Sequence, residues 1–367
     1  MKTICFLGYN EPDGKTFGNG VARVAFNQAK MLRERGYKVI FYHLFSKEEF
    51  QNLNAFLSDN SVDIALWHMT TLKIRRRLHT PCPLVCLWHN TPFMSSDNYA
   101  EGFCNKYHVG SFVRRVLCGK LVSAALSKMH DCFNALAFTY VTARSDKMVL
   151  LSGKFIPGFF AAKLFPKKVI AISNMVDASN GEFCLEKKKH EVLFVGRLDN
   201  KQKRVDLLLK IWAKVENECK DWNLNVCGDG PDRATLEQLS VELNLQRLHF
   251  CGFVTPDEYY KTASVICMTS AHEGLPMVIE EAASFGCVPM AFDSFESVTD
   301  LITDGVNGRV IKAFDVNAYS SALKELLVNE KLRNELADNA YNDVKRFDPE
   351  MIMDKWETLF NSLVKQW

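Results

Sequence analysis

Apolar and polar positions follow two different periods along the first half of the chain. Short apolar runs, each the length of a buried strand, lie at 3–7, 37–42, 63–67, 84–88, 135–141 and 168–172. Residues 21–35 instead repeat apolar side chains every three or four positions and stop at Gly36, which predicts an amphipathic helix. Strand, helix and strand in this order form a βαβ unit, so we predict a parallel, doubly wound α/β sheet.

The second half of the chain repeats this alternation from residue 191 onward. Apolar runs that predict further strands lie at 191–195, 223–227, 249–254 and 264–269. A helical pattern then runs from Met277 to Phe285 and ends at Gly286. Residues 178–190 are polar and contain three consecutive lysines, as is typical of a linker. We therefore predict one domain at 1–177 and a second at 190–349.

Length and composition agree with two domains and narrow the function. The chain has 367 residues, 47% of them apolar, which is enough for two cores. The formal net charge of +2 gives no indication of a nucleic-acid partner. We find no apolar run long enough to cross a bilayer, and Met1-Lys-Thr leads directly into a strand and not into a signal peptide. We expect a cytoplasmic protein.

The cysteines indicate a reducing compartment. The chain has 12 of them, scattered singly without a C-x-x-C pair, and most lie in apolar runs, as Cys5 and Cys267 do. We expect reduced thiols. Cys82, Cys86 and His89 have a spacing that hints at a metal site, but the predicted strand between them weighs against it, and we predict no metal.

Two acids frame the loop and helix that follow the strand at 264–269. Glu273 lies in the loop with Gly274, Leu275 and Pro276, and Glu281 lies eight residues later in the helix. Carboxylates accept hydrogen bonds from hydroxyl groups, and the free N–H groups of a helix N-terminus hold anionic oxygens. The stretch therefore suits a ligand that carries hydroxyls beside a phosphate. An ordinary strand–helix turn with solvated acids is the alternative.

The run from Glu273-Gly-Leu-Pro through Glu281-Ala-Ala to Gly286-Cys-Val-Pro289 resembles the E-x7-E signature of retaining GT-B glycosyltransferases of family 4. The resemblance covers nearly the whole chain and is strongest over 192–309. It implies a GT-B fold, with two Rossmann-like domains facing a cleft, the donor held mainly by the second and the acceptor by the first. It also implies that Glu281 binds the ribose hydroxyls, that Glu273 lies beside the donor sugar, and that Gly274, Leu275 and Pro276 contact the donor.

Other turns agree with this resemblance. The family's matching "G-F/Y-V" backbone lies by the nucleobase, which implies contacts of Phe253 and Val254 with a uracil. The closing segment resembles the family's last helix, so residues 350–367 are expected to join the first domain. Arg204 stands where the family commonly has glycine, which leaves the placement of its neighbour Lys203 open.

Two cations follow the strand at 191–195. The strand-to-helix turn places Arg197 and Lys203 at the carboxyl edge of the second sheet. Loss of a sugar leaves a diphosphate with extra negative charge, which a cation must stabilise. Asp229-Gly-Pro-Asp232 has the wrong spacing for the D-x-D motif of metal-dependent enzymes. In family members the matching Arg and Lys contact the diphosphate, so we predict a metal-independent reaction. Solvated charge at a helix start is the alternative.

Gly18-Asn-Gly20 comes just before the first helix and suggests dinucleotide binding. That interpretation fails, because Arg23 occupies the third glycine position, the loop is too long, and the next strand ends in Tyr42-His43 without an acid. Family members carry a glycine-rich loop at this place whose backbone approaches the diphosphate, which predicts donor contacts for Gly18 and Gly20. A plain flexible loop is the alternative.

His89 ends a predicted strand at the carboxyl edge of the first sheet, where α/β folds bind ligands. It matches the family's strand-end histidine, which lies near the donor sugar and the acceptor, so we predict a catalytic role. A structural histidine is the alternative. His68, at the end of the preceding strand, is a weaker candidate for the same surface.

Residues 111–128 are amphipathic at helical spacing, with basic side chains on the polar side. Further basic clusters at 73–77 and 163–168 make the N-terminal half basic, which the near-zero net charge hides. Two interpretations stay open. One is attraction to an anionic membrane or to a phosphorylated acceptor, and the other is an ordinary helix packed on the sheet.

These features together predict a retaining glycosyltransferase. It would move a sugar from a nucleotide-diphosphate sugar, UDP-linked by the resemblance, to a saccharide or lipid-linked acceptor in cell-surface glycan, lipopolysaccharide or capsule assembly, without cofactor or metal. A sugar-nucleotide epimerase or hydrolase on the same scaffold would need its own acid/base pair in the first domain. A non-catalytic nucleotide-sugar-binding protein is the third hypothesis, and the intact set of Arg197, Lys203, Glu273 and Glu281 speaks against it.

Overall fold

A computed structural model describes residues 1–8, 10–11, 20–44, 46–69, 80–92, 113, 115, 117–118, 120–176 and 183–364. The chain divides into two compact units. The first unit comprises residues 1–172 and 355–367, and the second comprises 173–354. The boundary between them falls at Ile172, and the segment that returns to the first unit starts at Lys355.

The first unit is built on a parallel sheet of six strands in the order β2-β1-β3-β4-β5-β6. Its strands are β1 Thr3–Leu7, β2 Lys38–Tyr42, β3 Ile64–Met69, β4 Leu84–Trp88, β5 Lys147–Leu150 and β6 Val169–Ala171. Its helices include α1 Gly20–Glu34, α2 Lys47–Asp59, α3 Lys120–Arg144 and α4 Phe160–Leu164. The strands β1, β3 and β4 are buried along their whole length, which is why they appear in the sequence as unbroken apolar runs.

The strand predicted at 135–141 is wrong, because these residues form part of helix α3. Phe138 and Val141, three residues apart, are both buried in the core, whereas Leu136 is 59% exposed. This helical spacing of buried positions excludes a strand, which would bury alternate residues. The apolar residues on the outer side of the helix concealed that period in the sequence. The strand of this region is the shorter β5, beyond Ser145.

The second unit has a parallel sheet in the order β12-β11-β10-β7-β8-β9. Its strands are β7 Lys189–Val195, β8 Asn223–Cys227, β9 Leu248–Gly252, β10 Ala263–Met268, β11 Val288–Asp293 and β12 Arg309–Lys312. Its helices are α5 Val205–Val215, α6 Arg233–Glu242, α7 Asp257–Thr262, α8 Met277–Ser284, α9 Val298–Leu301, α10 Val316–Val328 and α11 Glu330–Asp343. The last helix, α12 Pro349–Val364, begins in the second unit and belongs to the first from Lys355 onward. The predicted α/β class with doubly wound parallel sheets is confirmed.

Each sheet contains one point where the strand order reverses. In the second sheet the chain runs outward from β7 to β9 and then returns to place β10 on the other side of β7. In the first sheet the same reversal lies between β1 and β3. Open α/β sheets bind ligands outside the carboxyl ends of the strands at such points. Within the described ranges, no helix is long and apolar enough to cross a membrane.

Candidate functional site

The loops that leave β7 and β10 meet at the reversal point of the second sheet. Lys203 Nζ lies 2.6 Å from Glu273 Oε1, and the two side chains are only 16% and 8% exposed. Gln202 Nε2 donates to the other carboxylate oxygen of Glu273 at 3.3 Å. Both oxygens of a largely buried carboxylate therefore have partners, which offsets the cost of removing the charge from water.

Backbone contacts fix these two loops to each other. The N–H of Ala271 donates to the carbonyl of Gln202 at 2.7 Å, and the hydroxyl of Thr269 donates to the carbonyl of Lys203 at 3.0 Å. Ser297 donates to the carbonyl of Gly274 at 2.6 Å from the next loop of the sheet. These hydrogen bonds therefore hold together the two loops that carry the ion pair.

Glycines allow the turn after β8 to pack against the turn after β7. A Cβ on Gly228 would lie 1.8 Å from the carbonyl oxygen of Gly196, and one on Gly230 would lie 2.5 Å from that of Leu198. Leu198 also donates its N–H to the carbonyl of Asp229 at 2.9 Å. No side chain fits between these backbones, so the glycines set the shape of the edge where Arg197 lies.

Arg197 is exposed, and it makes no side-chain hydrogen bond or ion pair with any residue that the structure describes. It lies two residues beyond β7, at the same edge as Lys203. Arg204 adopts the left-handed conformation with φ 50°, immediately before helix α5. This conformation accounts for the glycine that the family resemblance implies at this position, since glycine adopts such a φ without a Cβ penalty. Asp206 accepts from Arg204 Nε at 3.0 Å.

Glu281 lies in the second turn of helix α8 and is half-buried. The hydroxyl of Tyr260 donates to its Oε2 at 3.1 Å. The helix begins at Met277 after its N-cap residue Pro276, which makes no side-chain capping hydrogen bond to the first N–H groups. Gly274, Leu275 and Pro276 of the loop before the helix are all buried.

The neighbouring acid, Glu280, was not identified from the sequence. Its side chain is buried and neither carboxylate oxygen has a hydrogen-bond partner among the described residues. Burial, and next the charge of Glu281, raise the pKa of Glu280 well above its ordinary value, which favours the neutral form of this carboxyl. A pocket of about 10 Å³, the space of one water molecule, lies beside it and is lined by Asn307 and Asp343 among others.

Phe253 and Val254 follow the edge strand β9. The Phe253 ring is 86% exposed, whereas Val254 packs against the small core beneath helix α8. An exposed ring at the carboxyl end of a strand is available for stacking on a base. Of the predicted glycine loop, Gly18 lies outside the described residues. Gly20 is the first residue of α1, and among the described residues no atom lies within 4 Å of the place of its missing Cβ.

In the first unit, His68 and His89 form a buried pair. His68 Nδ1 lies 3.0 Å from His89 Nε2, and their rings stack at 5.1 Å between centroids. Burial lowers the pKa of His89 to about 3, and burial with the neighbouring ring lowers that of His68 well below its usual value. Both rings are therefore neutral, with one nitrogen donating and the other accepting. The structure brings together the two histidines that the sequence placed at one edge.

The spacing of Cys82, Cys86 and His89 does not produce a ligand cluster. Cys82 and Cys86 belong to the apolar core, and burial raises the pKa of each thiol to about 12. A protonated thiol is a poor metal ligand. Within the part of the chain that the structure describes, no group of three His, Cys, Asp or Glu side chains is arranged to hold a metal ion.

Comparison with known proteins identifies the family. The family described as "Glycosyl transferases group 1" matches residues 178–343. The amylovoran biosynthesis glycosyltransferase AmsD of Erwinia amylovora is 34% identical over 367 residues, which span 95% of this chain and 98% of AmsD. The chain belongs to the group 1 glycosyltransferases. The family predicted from the sequence is thereby confirmed.

Further matches cover nearly all of this glycosyltransferase's chain. An N-acetyl-D-galactosaminyltransferase of Campylobacter jejuni, named for a diphospho-undecaprenol-linked substrate, is 31% identical over 337 residues, which span 90% of this chain and 84% of that one. The structure of HepE from Anabaena, determined with UDP and glucose, aligns with a TM-score of 0.70 at 16% identity, over 99% of this chain and 100% of that one. This structural match confirms the predicted GT-B fold class.

Proposed function

We propose that this glycosyltransferase moves a sugar from a UDP-sugar to a saccharide acceptor, with retention of configuration and without a metal ion. The observation that carries the proposal is the Lys203–Glu273 ion pair at the reversal point of the second sheet, beside the start of helix α8. In this pair, Lys203 supplies a cation that can bind a diphosphate, and Glu273 supplies a carboxylate that can bind a sugar. The UDP complex of HepE supports the choice of base.

The proposed roles follow from the positions of the side chains. Lys203 has three N–H donors, so it can hold a phosphate oxygen while it keeps its contact with Glu273. Arg197 is exposed, and its guanidinium can bind the diphosphate as a second positive charge. Glu281 accepts from the ribose hydroxyls, and exposed Phe253 stacks on the base while the Val254 backbone lies alongside. Gly18 and Gly20 of the first unit stay proposed donor contacts.

For the chemical step we propose a reaction on one face of the sugar. The bond from the anomeric carbon to the leaving phosphate oxygen breaks, and the acceptor oxygen bonds to the same face. The proton of the acceptor hydroxyl passes to the leaving phosphate oxygen, so no carboxylate nucleophile is required. Lys203 and Arg197 stabilise the charge that builds on the diphosphate. His89, neutral at physiological pH, is proposed as an acceptor-side hydrogen-bonding group.

The acceptor is proposed from the relatives. AmsD is named for the biosynthesis of amylovoran, and the Campylobacter enzyme for a diphospho-undecaprenol-linked saccharide. We propose a saccharide under assembly on a lipid carrier at the cytoplasmic face of a membrane, as a step in cell-surface glycan synthesis.

Donor choice is tested first by thermal shift with UDP, GDP and ADP. A ligand at a hundredfold over its dissociation constant adds about 2.7 kcal/mol to stability, so UDP should raise the melting temperature most. A larger shift with GDP or ADP would exclude the UDP assignment.

The reaction is tested by nuclear magnetic resonance of the product anomeric proton and by UDP release. An α-configured product from an α-linked donor is expected, at a rate that EDTA leaves unchanged. An inverted product, or a complete loss that metal restores, would overturn the mechanism. UDP release at the same rate with and without acceptor would favour a hydrolase, and conversion of the donor sugar without UDP release an epimerase.

A further inference from the structure

Helix α3 exposes an apolar stripe on the side opposite the core. Its members recur every three or four residues, and the large ones are Leu121, Met129, Phe133 and Leu136, with exposed fractions of 88%, 63%, 62% and 59%. On the other side of the same helix, Phe138 and Val141 pack in the core. The helix is therefore apolar on two faces, and only one of them has a partner among the described residues of the first unit.

Helix α4 continues this surface. It packs beside α3, with the Phe138 ring meeting the edge of Phe159 at 5.1 Å between centroids. The chain passes from β4 to β5 to β6 in one direction across the sheet, so right-handed crossovers place α3 and α4 on the same face. Phe160 and Leu164, four residues apart on α4, are 47% and 53% exposed. We call the exposed apolar residues of the two helices the α3–α4 face.

The charge around this face is mainly positive, with the exposed Asp131 as an acid on α3 itself. The sequence between Asp146 and Asp177 contains no acidic residue and five lysines, of which Lys154, Lys163 and Lys167 are exposed. The first unit as a whole holds 25 lysines and arginines against 12 acids, whereas the second holds 20 against 31. A near-neutral chain thus concentrates its positive charge in the unit that bears the face.

We propose that the α3–α4 face docks on the surface of an anionic lipid bilayer. An apolar helical stripe flanked by lysines lies in the boundary between headgroups and acyl chains, with each lysine near an anionic headgroup. A protein interface would also bury aromatic and methionine side chains, but such interfaces are depleted of lysine, whereas Lys154, Lys163 and Lys167 are exposed around this face. The proposal rests on the proposed function, since a lipid-linked acceptor has to be met at a membrane.

Flotation with vesicles tests this docking. The full chain is mixed with phosphatidylethanolamine vesicles containing about one third phosphatidylglycerol, or with neutral phosphatidylcholine vesicles, neither carrying a saccharide acceptor. We expect flotation with the anionic vesicles, weakened when salt rises from about 0.1 M to about 1 M. The double variant Met129→Ser with Phe133→Ser should bind the anionic vesicles at least about tenfold more weakly, because two buried apolar side chains are lost.

Matched controls come from the second unit. Val241 and Val328 are 79% and 66% exposed, so the pair Val241→Ser with Val328→Ser should float like the wild type. Replacement of Lys163 and Lys167 by glutamine should remove most of the salt dependence. Loss of flotation in the valine pair, or wild-type flotation in the Met129 and Phe133 pair, would overturn the proposal.

Two further measurements distinguish lipid docking from self-association and from a defect at the donor site. If sedimentation shows a dimer that the Met129 and Phe133 pair abolishes, while the wild type does not float, a second copy covers the face and the lipid proposal is wrong. UDP thermal shift on the same samples reports the donor site independently. Flotation without a UDP shift would contradict the proposed function alone, and a UDP shift without flotation would contradict the docking alone.

Discussion

The carboxyl ends of the two sheets carry opposite kinds of chemistry. At the second sheet, Lys203 and Glu273 are 16% and 8% exposed and form an ion pair. At the first sheet, His68 and His89 are buried, and burial keeps both rings neutral by lowering the pKa of each. The same fold thus buries a pair of unlike charges in one unit and a pair of uncharged rings in the other.

The difference shows what burial requires of each pair. When two opposite charges are buried together, their attraction offsets the cost of removing each from water. Two groups of like charge lack this attraction, so both cannot be charged at once. A charged pair suits a ligand that gains charge during reaction, such as a diphosphate. A neutral pair suits the hydrogen bonds of a hydroxyl group. We therefore expect substitutions at the carboxyl ends of the two sheets to act on different steps.

The largest effect is expected for Lys203→Ala. Loss of one cation that stabilises the leaving group should lower turnover about 10²–10³-fold, with the fold retained. The matched control is Lys201→Ala, an exposed lysine of the same loop, which should leave turnover unchanged. Steady-state rates with a varied UDP-sugar decide, and turnover within a few-fold of wild type would exclude the diphosphate role. Arg197→Ala should behave as Lys203→Ala does.

The histidine pair should make the first unit sensitive to acid. The pKa of both rings is lower in the folded chain than in the unfolded chain, so the unfolded state binds more protons below about pH 6.5. Stability should fall as pH drops from about 6.5 toward 3, by up to about 1.4 kcal/mol per pH unit and histidine. Urea unfolding across this range measures it.

A His89→Asn variant should lose part of this slope of stability against pH. The control His249→Asn, at an exposed site of the second unit, should keep the slope of the wild type. An unchanged slope in His89→Asn would show that the pair is not buried and neutral.

The two acids of the second site should separate by kinetics. Glu281 is expected to bind the ribose equally in ground and transition states, so Glu281→Ala should mainly raise the Michaelis constant, by the loss of about 1.5–3 kcal/mol. Glu273→Gln removes charge beside the reacting sugar and should lower turnover more than donor binding. The assignment fails if Glu273→Gln changes only the Michaelis constant and Glu281→Ala only turnover.

Substitution of Glu280 tests whether burial favours the neutral form of this carboxyl in the second unit. Its raised pKa means that the folded state binds more protons than the unfolded state above about pH 4.5, so this carboxyl lowers stability as pH rises. Glu280→Gln should stabilise the fold by about 1–3 kcal/mol at pH 7 and less at pH 4.5. Glu335→Gln, at an exposed acid of α11, is the control. Equal stability of wild type and Glu280→Gln at both pH values would contradict the burial.

The smallest effect is expected at Arg204. Arg204→Gly relieves the left-handed conformation but loses the contact with Asp206 and the approach to the Phe314 ring at 5.6 Å, so stability should stay within about 1 kcal/mol. Arg204→Ala loses the same contacts and keeps the strain, so it should be the less stable of the two. Thermal unfolding of both variants measures this, and a more stable alanine variant would refute the strain.

Buried strands were predictable because they carry continuous apolar runs, as β3 and β4 do. The same criterion gave a wrong strand within α3. This helix is apolar on two sides, so its apolar residues form a nearly continuous run in the sequence without a clear helical period. The site was predictable in part. The sequence placed Lys203 and Glu273 at one edge, but only the position of β10 beside β7 makes them a pair. Glu280 and Glu281 are adjacent acids, and nothing in their types tells which one is buried.

The position of β10 also sets the order in which the site can exist during synthesis. Strands β7, β8 and β9 can pair as soon as they leave the ribosome, but the partner on the other side of β7 is still unmade. At about 5–20 residues per second, on the order of ten seconds pass between the synthesis of Val195, the end of β7, and that of Glu273 in the loop after β10. For that time one edge of β7 is an open strand edge, exposed to pairing with other chains or to a chaperone. A chain that ends before Ala263 therefore has half a sheet and no acid opposite Lys203.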